Sequence, residues 1–261
     1  MPLTGFDASN FTHEGVERPV YRRGTGPGVV IIHEVPGITP EVAGFGRRVA
    51  DEGFTAVLPK LFGTPGKPLS AAYALGEIAR ACISREFHVL ATRRSSPITN
   101  WLRALCRRVH SECGGAGVGA VGMCLTGNFA LSLMVDEAVM APVLSQPSLP
   151  FPISSRHRAA LHVSDADLEV VRRRVDDGCG VLGLRFTADP LCPPQRFETL
   201  RRELGDGFES IEIDSGPENI HGISRIAHSV LTKDLVDEEG HPTRAALGRV
   251  LALFRERLLP T

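Results

Sequence analysis

The chain predicts an α/β fold, a mostly parallel central sheet with helices on both faces. Three observations carry that prediction. Short runs such as Gly28 to Ile32 (GVVII) in Gly28 to His33, and Val181 to Leu184 in Val181 to Phe186 (VLGLRF), are apolar without alternation, as strands covered on both faces require. Segments with apolar residues at helical spacing separate them, as at Ile98, Trp101, Leu102, Leu105 and Val109. Glycine and proline punctuate the junctions, stopping one kind of segment and starting the next.

Taken in order, Gly28 to His33 reads as the first core strand. Thr39 then supplies a helix cap and Pro40 a first helical position, Glu41 to Glu52 forms the helix, and Gly53 stops it. Phe54 to Leu58 is a second strand, and the Gly- and Pro-rich stretch from Leu61 to Ser70 a loop. Helices are expected over Ala71 to Leu90 and from Ser96-Pro97 to Cys113. A strand over Gly117 to Met123 leads at once into a helix over Leu125 to Val135. Val139 to Leu144 and Val181 to Phe186 are further strands, with a Ser164-capped helix over Leu168 to Val175 between them. The helix Pro194 to Leu204, the strand Phe208 to Ile213 and the amphipathic helix Thr243 to Leu258 complete the alternation.

The 261 residues are read as one domain spanning 1–261, with residues 1–17 as an irregular N-terminal extension. Lys and Arg number 29 against 30 Asp and Glu. That balance lacks the basic excess of a nucleic-acid surface and gives no reason to expect a membrane partner. No apolar run approaches a transmembrane length and no secretory leader is visible, which favours the cytosol. The six cysteines, at 82, 106, 113, 124, 179 and 192, form no CxxC pair and no zinc-ligand spacing, so free thiols and no metal are expected.

The most informative segment is Val121 to Gly127, VGMCLTG. A strand that turns sharply into a helix between small residues lifts one side chain above the sheet edge, the layout of a nucleophile elbow. Cys124 occupies the raised position, at a helix N-terminus that favours thiolate. Thr126 stands where the usual elbow has glycine. On such sheets the nucleophile is followed in the chain by an acid and then a histidine. Asp189 follows the strand VLGLRF, and His221 follows the strand FESIEI and the loop after it. Of the nine histidines, His228 and most of the others lack this strand-end context.

These pieces resemble the dienelactone hydrolase family. The matching segments are GVVIIHEVPGI (28–38), FTAVLPKLFG (54–63), VGMCLTG (121–127), FTADP (186–190) and NIHGI (219–223). The resemblance implies an α/β-hydrolase fold and a Cys-His-Asp triad, whose roles fall on Cys124, His221 and Asp189. It implies that Glu34 contacts the resting cysteine and that the oxyanion hole comes from the backbone N–H groups of Val35 and Leu125. It further implies arginines that grip a substrate carboxylate. One lies four residues beyond the histidine, at Arg225; the other lies upstream of the elbow, at Arg80 or Arg85. No cofactor is implied, and the partner is a small ester or lactone, with a carboxylate in the family's pattern.

Three departures stand out: Thr126 in the elbow, Lys60 in place of a common aspartate, and the proline-rich stretch 141–151. They bear on the substrate, because variable loops build the pocket. The competing readings are a thioesterase or general esterase with the same triad, a hydrolase-fold protein that binds without turnover, and a redox-sensing thiol at Cys124.

Overall fold

In a computed structural model, which describes residues 3–83 and 97–259, eight strands form one sheet in the order β1-β2-β4-β3-β5-β6-β7-β8. The strands are β1 (Asp7–His13), β2 (Val16–Arg23), β3 (Gly28–Ile32), β4 (Thr55–Pro59), β5 (Val118–Met123), β6 (Val139–Ser145), β7 (Val181–Phe186) and β8 (Phe208–Ile213). From β4 through β8 every neighbouring pair is parallel.

The helices of the connections are α1 (Pro40–Asp51), α2 (Ala71–Ile83), α3 (Pro97–Cys113), α4 (Phe129–Leu133), α5 (Ser155–Ala159), α6 (Asp165–Asp176) and α7 (Pro194–Leu204), and α8 (Pro242–Leu258) follows the last strand. Alternate residues of one strand serve opposite cores, as the two-residue period of a strand dictates. Val29 and Ile31 pack with Phe45, Val49, Val250 and Phe254 of α1 and α8. Val30 and Ile32 pack with Trp101, Leu105, Phe129 and Leu133 of α3 and α4. This two-sided burial explains why the core strands read as unbroken apolar runs. Among the described residues, no helix is long and apolar enough to cross a membrane.

Two expectations are corrected here. Residues 7–17 are not irregular: β1 pairs antiparallel with β2, from Asp7–Arg22 to His13–Val16, and β2 pairs antiparallel with β4. The hairpin extends the sheet beyond its parallel part. The expected helix over Leu125 to Val135 is instead a one-turn 3-10 helix at Cys124–Thr126 followed by the short α4. The expected caps do form: Thr39 Oγ1 accepts from the Val42 N–H, and Ser164 Oγ from the Asp167 N–H. Of the helix expected over Ala71 to Leu90, the part beyond Ile83 lies outside the described residues.

Parallel strands all end on the same edge. The chain leaves β3 to pair with β4 on one side and β5 on the other, the kind of reversal where such sheets assemble their sites.

Candidate active site

Cys124 is the first residue after β5 and has φ +55°, a left-handed conformation costly for a residue with a Cβ. The surrounding chain enforces it. A Cβ on Gly122 would stand 2.3 Å from the Thr126 carbonyl oxygen, and one on Gly127 would stand 2.4 Å from Pro147 Cα. Both positions therefore require glycine for close approach.

Thr126 is an anchor. Its Oγ1 accepts from the Met123 N–H at 3.0 Å and has three carbonyl oxygens in reach for its own proton: Met123 (2.9 Å), Ile32 (3.0 Å) and His33 (3.2 Å). A hydroxyl where other elbows have glycine thus ties the turn to the end of β3.

Asp189, three residues past β7, is buried and fully partnered. Its Oδ1 accepts from the Leu191 N–H at 2.9 Å, and its Oδ2 lies 2.7 Å from His228 Nδ1. The loop around it is held by Arg185, a buried side chain that donates to the Cys192 and Thr187 carbonyls and pairs with Glu212.

The histidine at the aspartate is thus His228, not His221. His221 is exposed, and its ring stacks edge-on with that of His241 at 5.2 Å. His221, His228 and His241 all follow β8 within one long connection, residues 214–241, and spacing alone does not single one out. Asp234 fixes the backbone at His228, with Oδ2 accepting from the N–H groups of His228 and Ser229.

With Nδ1 turned to Asp189, Nε2 faces the elbow, where Ser148 Oγ is 3.3 Å away. Ser148 Oγ is in turn 3.7 Å from Cys124 Sγ. Burial alone would lower the basicity of His228. The electrostatic interaction with neighbouring Cys124 and the hydrogen bond to Asp189 outweigh it, and the ring is raised well above the ordinary histidine value. Nothing in the sequence patterns pointed to Ser148, which lies in the proline-rich departure 141–151.

Glu34 follows β3, and its carboxylate is buried beside the site. Oε2 accepts from Ser229 Oγ at 2.7 Å and Gln146 Nε2 at 3.3 Å, and Oε1 accepts from Thr232 Oγ1. Its hydrogen bonds go to these three side chains rather than to Cys124, which corrects the expected contact with the resting thiol. Burial pushes its carboxyl above the usual range, opposed by the two hydroxyl donors and by nearby His228, while Asp234 adds to the rise.

The preceding residue, His33, is wholly buried. Its Nε2 accepts from the Leu61 N–H at 3.1 Å, so Nδ1 carries the proton that it gives to the Glu34 carbonyl at 3.0 Å. Burial keeps this ring neutral, lowering its pKa to about 4.

Of the expected oxyanion donors, Leu125 lies in the first turn of the 3-10 helix, where N–H groups have no partner within the helix. Val35 follows Glu34 at the end of β3. Arg225 is exposed, and its place was counted from His221. Counted from His228, the same interval falls on Thr232, an uncharged partner of Glu34. Arg80 lies in α2, but its side chain falls outside the described residues, as does the whole of Arg85.

A parallel sheet flanked by helices, with a strained elbow after the fifth strand and an Asp–His pair after the last two, defines an α/β hydrolase. The chain belongs to the dienelactone hydrolase family, whose model matches residues 18–257. It is 27% identical over 180 residues to a protein of Saccharomyces cerevisiae described as "Putative carboxymethylenebutenolidase". That match takes in 69% of this chain and 63% of the yeast protein, so this chain spans under two thirds of its relative's length.

Among solved structures, a "Putative Dienelactone Hydrolase" from Klebsiella pneumoniae superposes with a TM-score of 0.62 at 20% identity, covering 96% of this chain and 99% of that one. A dienelactone hydrolase-like promiscuous phosphotriesterase, P91, from metagenomic libraries superposes with the same TM-score at 17% identity, covering 97% and 98%. At these identities the two structures speak to the fold.

Proposed function

We propose that this protein is a cysteine-dependent hydrolase of small carboxylic esters or lactones, with Cys124 as nucleophile, His228 as base and Asp189 as its orienting acid. The observation that carries the reading is the continuous chain of contacts from Asp189 through His228 and Ser148 to Cys124.

In this scheme the Cys124 thiol gives its proton to His228 Nε2, and the sulfur attacks the carbonyl carbon. The carbonyl electron pair moves to oxygen, which the Val35 and Leu125 N–H groups receive. Collapse breaks the bond to the leaving oxygen, and His228 returns its proton to that oxygen. Water then gives a proton to His228 and attacks the thioester. The acid departs and the sulfur is restored. For a lactone, the leaving oxygen stays tethered to the acyl group.

The carboxylate grip implied for the histidine side of the pocket loses its support, because Thr232 and Ser229 hand Glu34 hydroxyl groups rather than a guanidinium. A neutral ester or lactone fits that side best. We also propose a cytosolic location; the free state of Cys106, Cys113, Cys124, Cys179 and Cys192 is consistent with a reducing compartment.

The test is hydrolysis of a panel of p-nitrophenyl esters and small lactones by the wild type and by Cys124→Ala. Turnover in the wild type and none in the variant is the expected result. Equal turnover in both would overturn the mechanism.

A further inference from the structure

Ser148 is the second residue after Gln146 on the connection leaving β6, and its position is unusually well fixed. Its backbone N–H donates to the Cys124 carbonyl at 2.9 Å, which ties it to the elbow itself. On either side, the Pro147 and Pro150 carbonyls accept from the buried Arg196 guanidinium at 2.6 Å each. The Leu149 carbonyl accepts from Asn128 Nδ2. A loop held at three carbonyls and one amide presents its single hydroxyl at a set place.

That hydroxyl has three neighbours: the Gln146 carbonyl at 3.0 Å, His228 Nε2 at 3.3 Å and Cys124 Sγ at 3.7 Å. A serine hydroxyl has one proton to give and two lone pairs to accept with. The three neighbours therefore define two arrangements. With a neutral thiol or a thioester at position 124, the proton goes to the Gln146 carbonyl. With a sulfur anion and a protonated ring, Ser148 accepts from His228 Nε2–H and swings its own proton to the sulfur.

Resting on the triad reading above, we propose that Ser148 is a fourth member of the site, a hydroxyl bridge that stabilises the Cys124 thiolate against its protonated histidine partner and releases it on acylation. No proton is gained or lost in the swing; only the acceptor of the serine proton changes. The bridge strengthens the charge-separated thiolate–imidazolium state, since hydrogen bonds to ionised groups are the strong ones. It costs little at the acyl-enzyme, because the Gln146 carbonyl takes the proton back.

The charged and titratable groups facing His228 are Asp189, Cys124, Glu34 and Asp234. Ser148 adds no charge to that set, so its effect is separable from theirs.

The test is the pH profile of Cys124 alkylation by iodoacetamide, followed by mass spectrometry, in the wild type, Ser148→Ala and Ser148→Thr. Losing one hydrogen bond to a charged group predicts a midpoint about one pH unit higher in the alanine variant and alkylation about tenfold slower near pH 7, with equal rates at alkaline pH. The threonine variant, which keeps the hydroxyl, holds the wild-type midpoint.

A Ser148→Ala profile that superimposes on the wild type would overturn the bridge, whatever happens to ester turnover. A shifted profile in Ser148→Thr would overturn it as well. If instead Cys124→Ala retained turnover, the triad reading would fall, and that outcome is distinct from either of these.

Discussion

Asp189 and His228 meet at 2.7 Å across 39 residues of chain, with the carboxylate wholly covered and the ring one-sixth exposed at 17%. A covered acid beneath a partly exposed base leaves one ring nitrogen committed and the other free to reach outward. The acid end is secured from below by the Leu191 amide and the base end from the side by Asp234.

This pairing predicts which histidine matters. His228→Ala is expected to lower kcat for an activated ester by at least about a hundredfold, as removal of a general base does. His221→Ala is expected to leave kcat within about twofold, because its ring sits exposed against His241. Steady-state kinetics on the two variants checks both statements. Asp189→Asn should fall with His228→Ala, since an amide in that place removes the charge that favours the protonated ring.

A second prediction concerns the elbow. Thr126→Val keeps the shape and removes the hydroxyl oxygen that receives the Met123 N–H. One buried donor loses its acceptor, and the carbonyls of Met123, Ile32 and His33 lose the one hydroxyl proton within their reach. The expected loss is about 1–3 kcal/mol of unfolding free energy in urea, with a fall in kcat beyond what stability explains.

Gly127→Ala tests the same corner by crowding. Its Cβ would fall 2.4 Å from Pro147 Cα and 2.7 Å from Pro147 Cβ. Neither neighbour is the far end of a flexible side chain. Separation of the elbow from the 147–150 loop is the only relief. A drop in soluble yield and thermal midpoint is expected, together with loss of turnover.

Arg196 offers a fourth test. Its guanidinium is buried and spends its donors on the carbonyls of Pro147, Pro150, His157 and Ala160. Burial first, opposed by Cys192 and Asp189, lowers its pKa to about 10, so it stays charged at neutral pH. Arg196→Leu would strand these acceptors and is expected to cost at least about 3 kcal/mol, read by urea denaturation.

The last prediction is a pH dependence. His33 has a folded pKa of about 4 against an ordinary 6.5. As pH falls through that interval, the unfolded chain takes up a proton that the buried ring refuses. Stability is therefore lost on acidification from about pH 6.5 to pH 4, by about 3 kcal/mol for this ring. His162, lowered to about 4 chiefly by burial, acts with the same sign. The raised His228 acts the other way, and its contribution fades as pH rises through its folded value. Urea midpoints at pH 7 and pH 5 should differ less in His33→Gln than in the wild type.

The parallel strands were legible because both their faces are buried, which writes an uninterrupted apolar run such as GVVII into the chain. The hairpin of β1 and β2 was not, because DASNFTH is largely exposed, VERPVYRR is mostly half-buried, and both are largely polar. The elbow was legible because close backbone approach demands glycine at fixed offsets, and Cys124 came with it.

The histidine that meets Asp189 was not legible because the long connection after β8 offers three, and the pairing of His228 is made by Asp234 and Asp189 in space. Glu34 was correctly placed after β3, but the partners it takes come from residues 146, 229 and 232, far apart in the chain. Ser148 belongs to a loop whose meaning lies in the carbonyls that hold it, and carbonyls leave no mark on a sequence.

Thr126 joins the turn bearing Cys124 to the last residues of β3, and Val35 lies just beyond them. The amides of Val35 and Leu125 thus belong to one welded corner rather than to two independent loops. In the proposed mechanism, an oxygen that acquires charge there meets a pair of donors whose separation was set when the chain folded. None of the substrate's own affinity is diverted to gathering them.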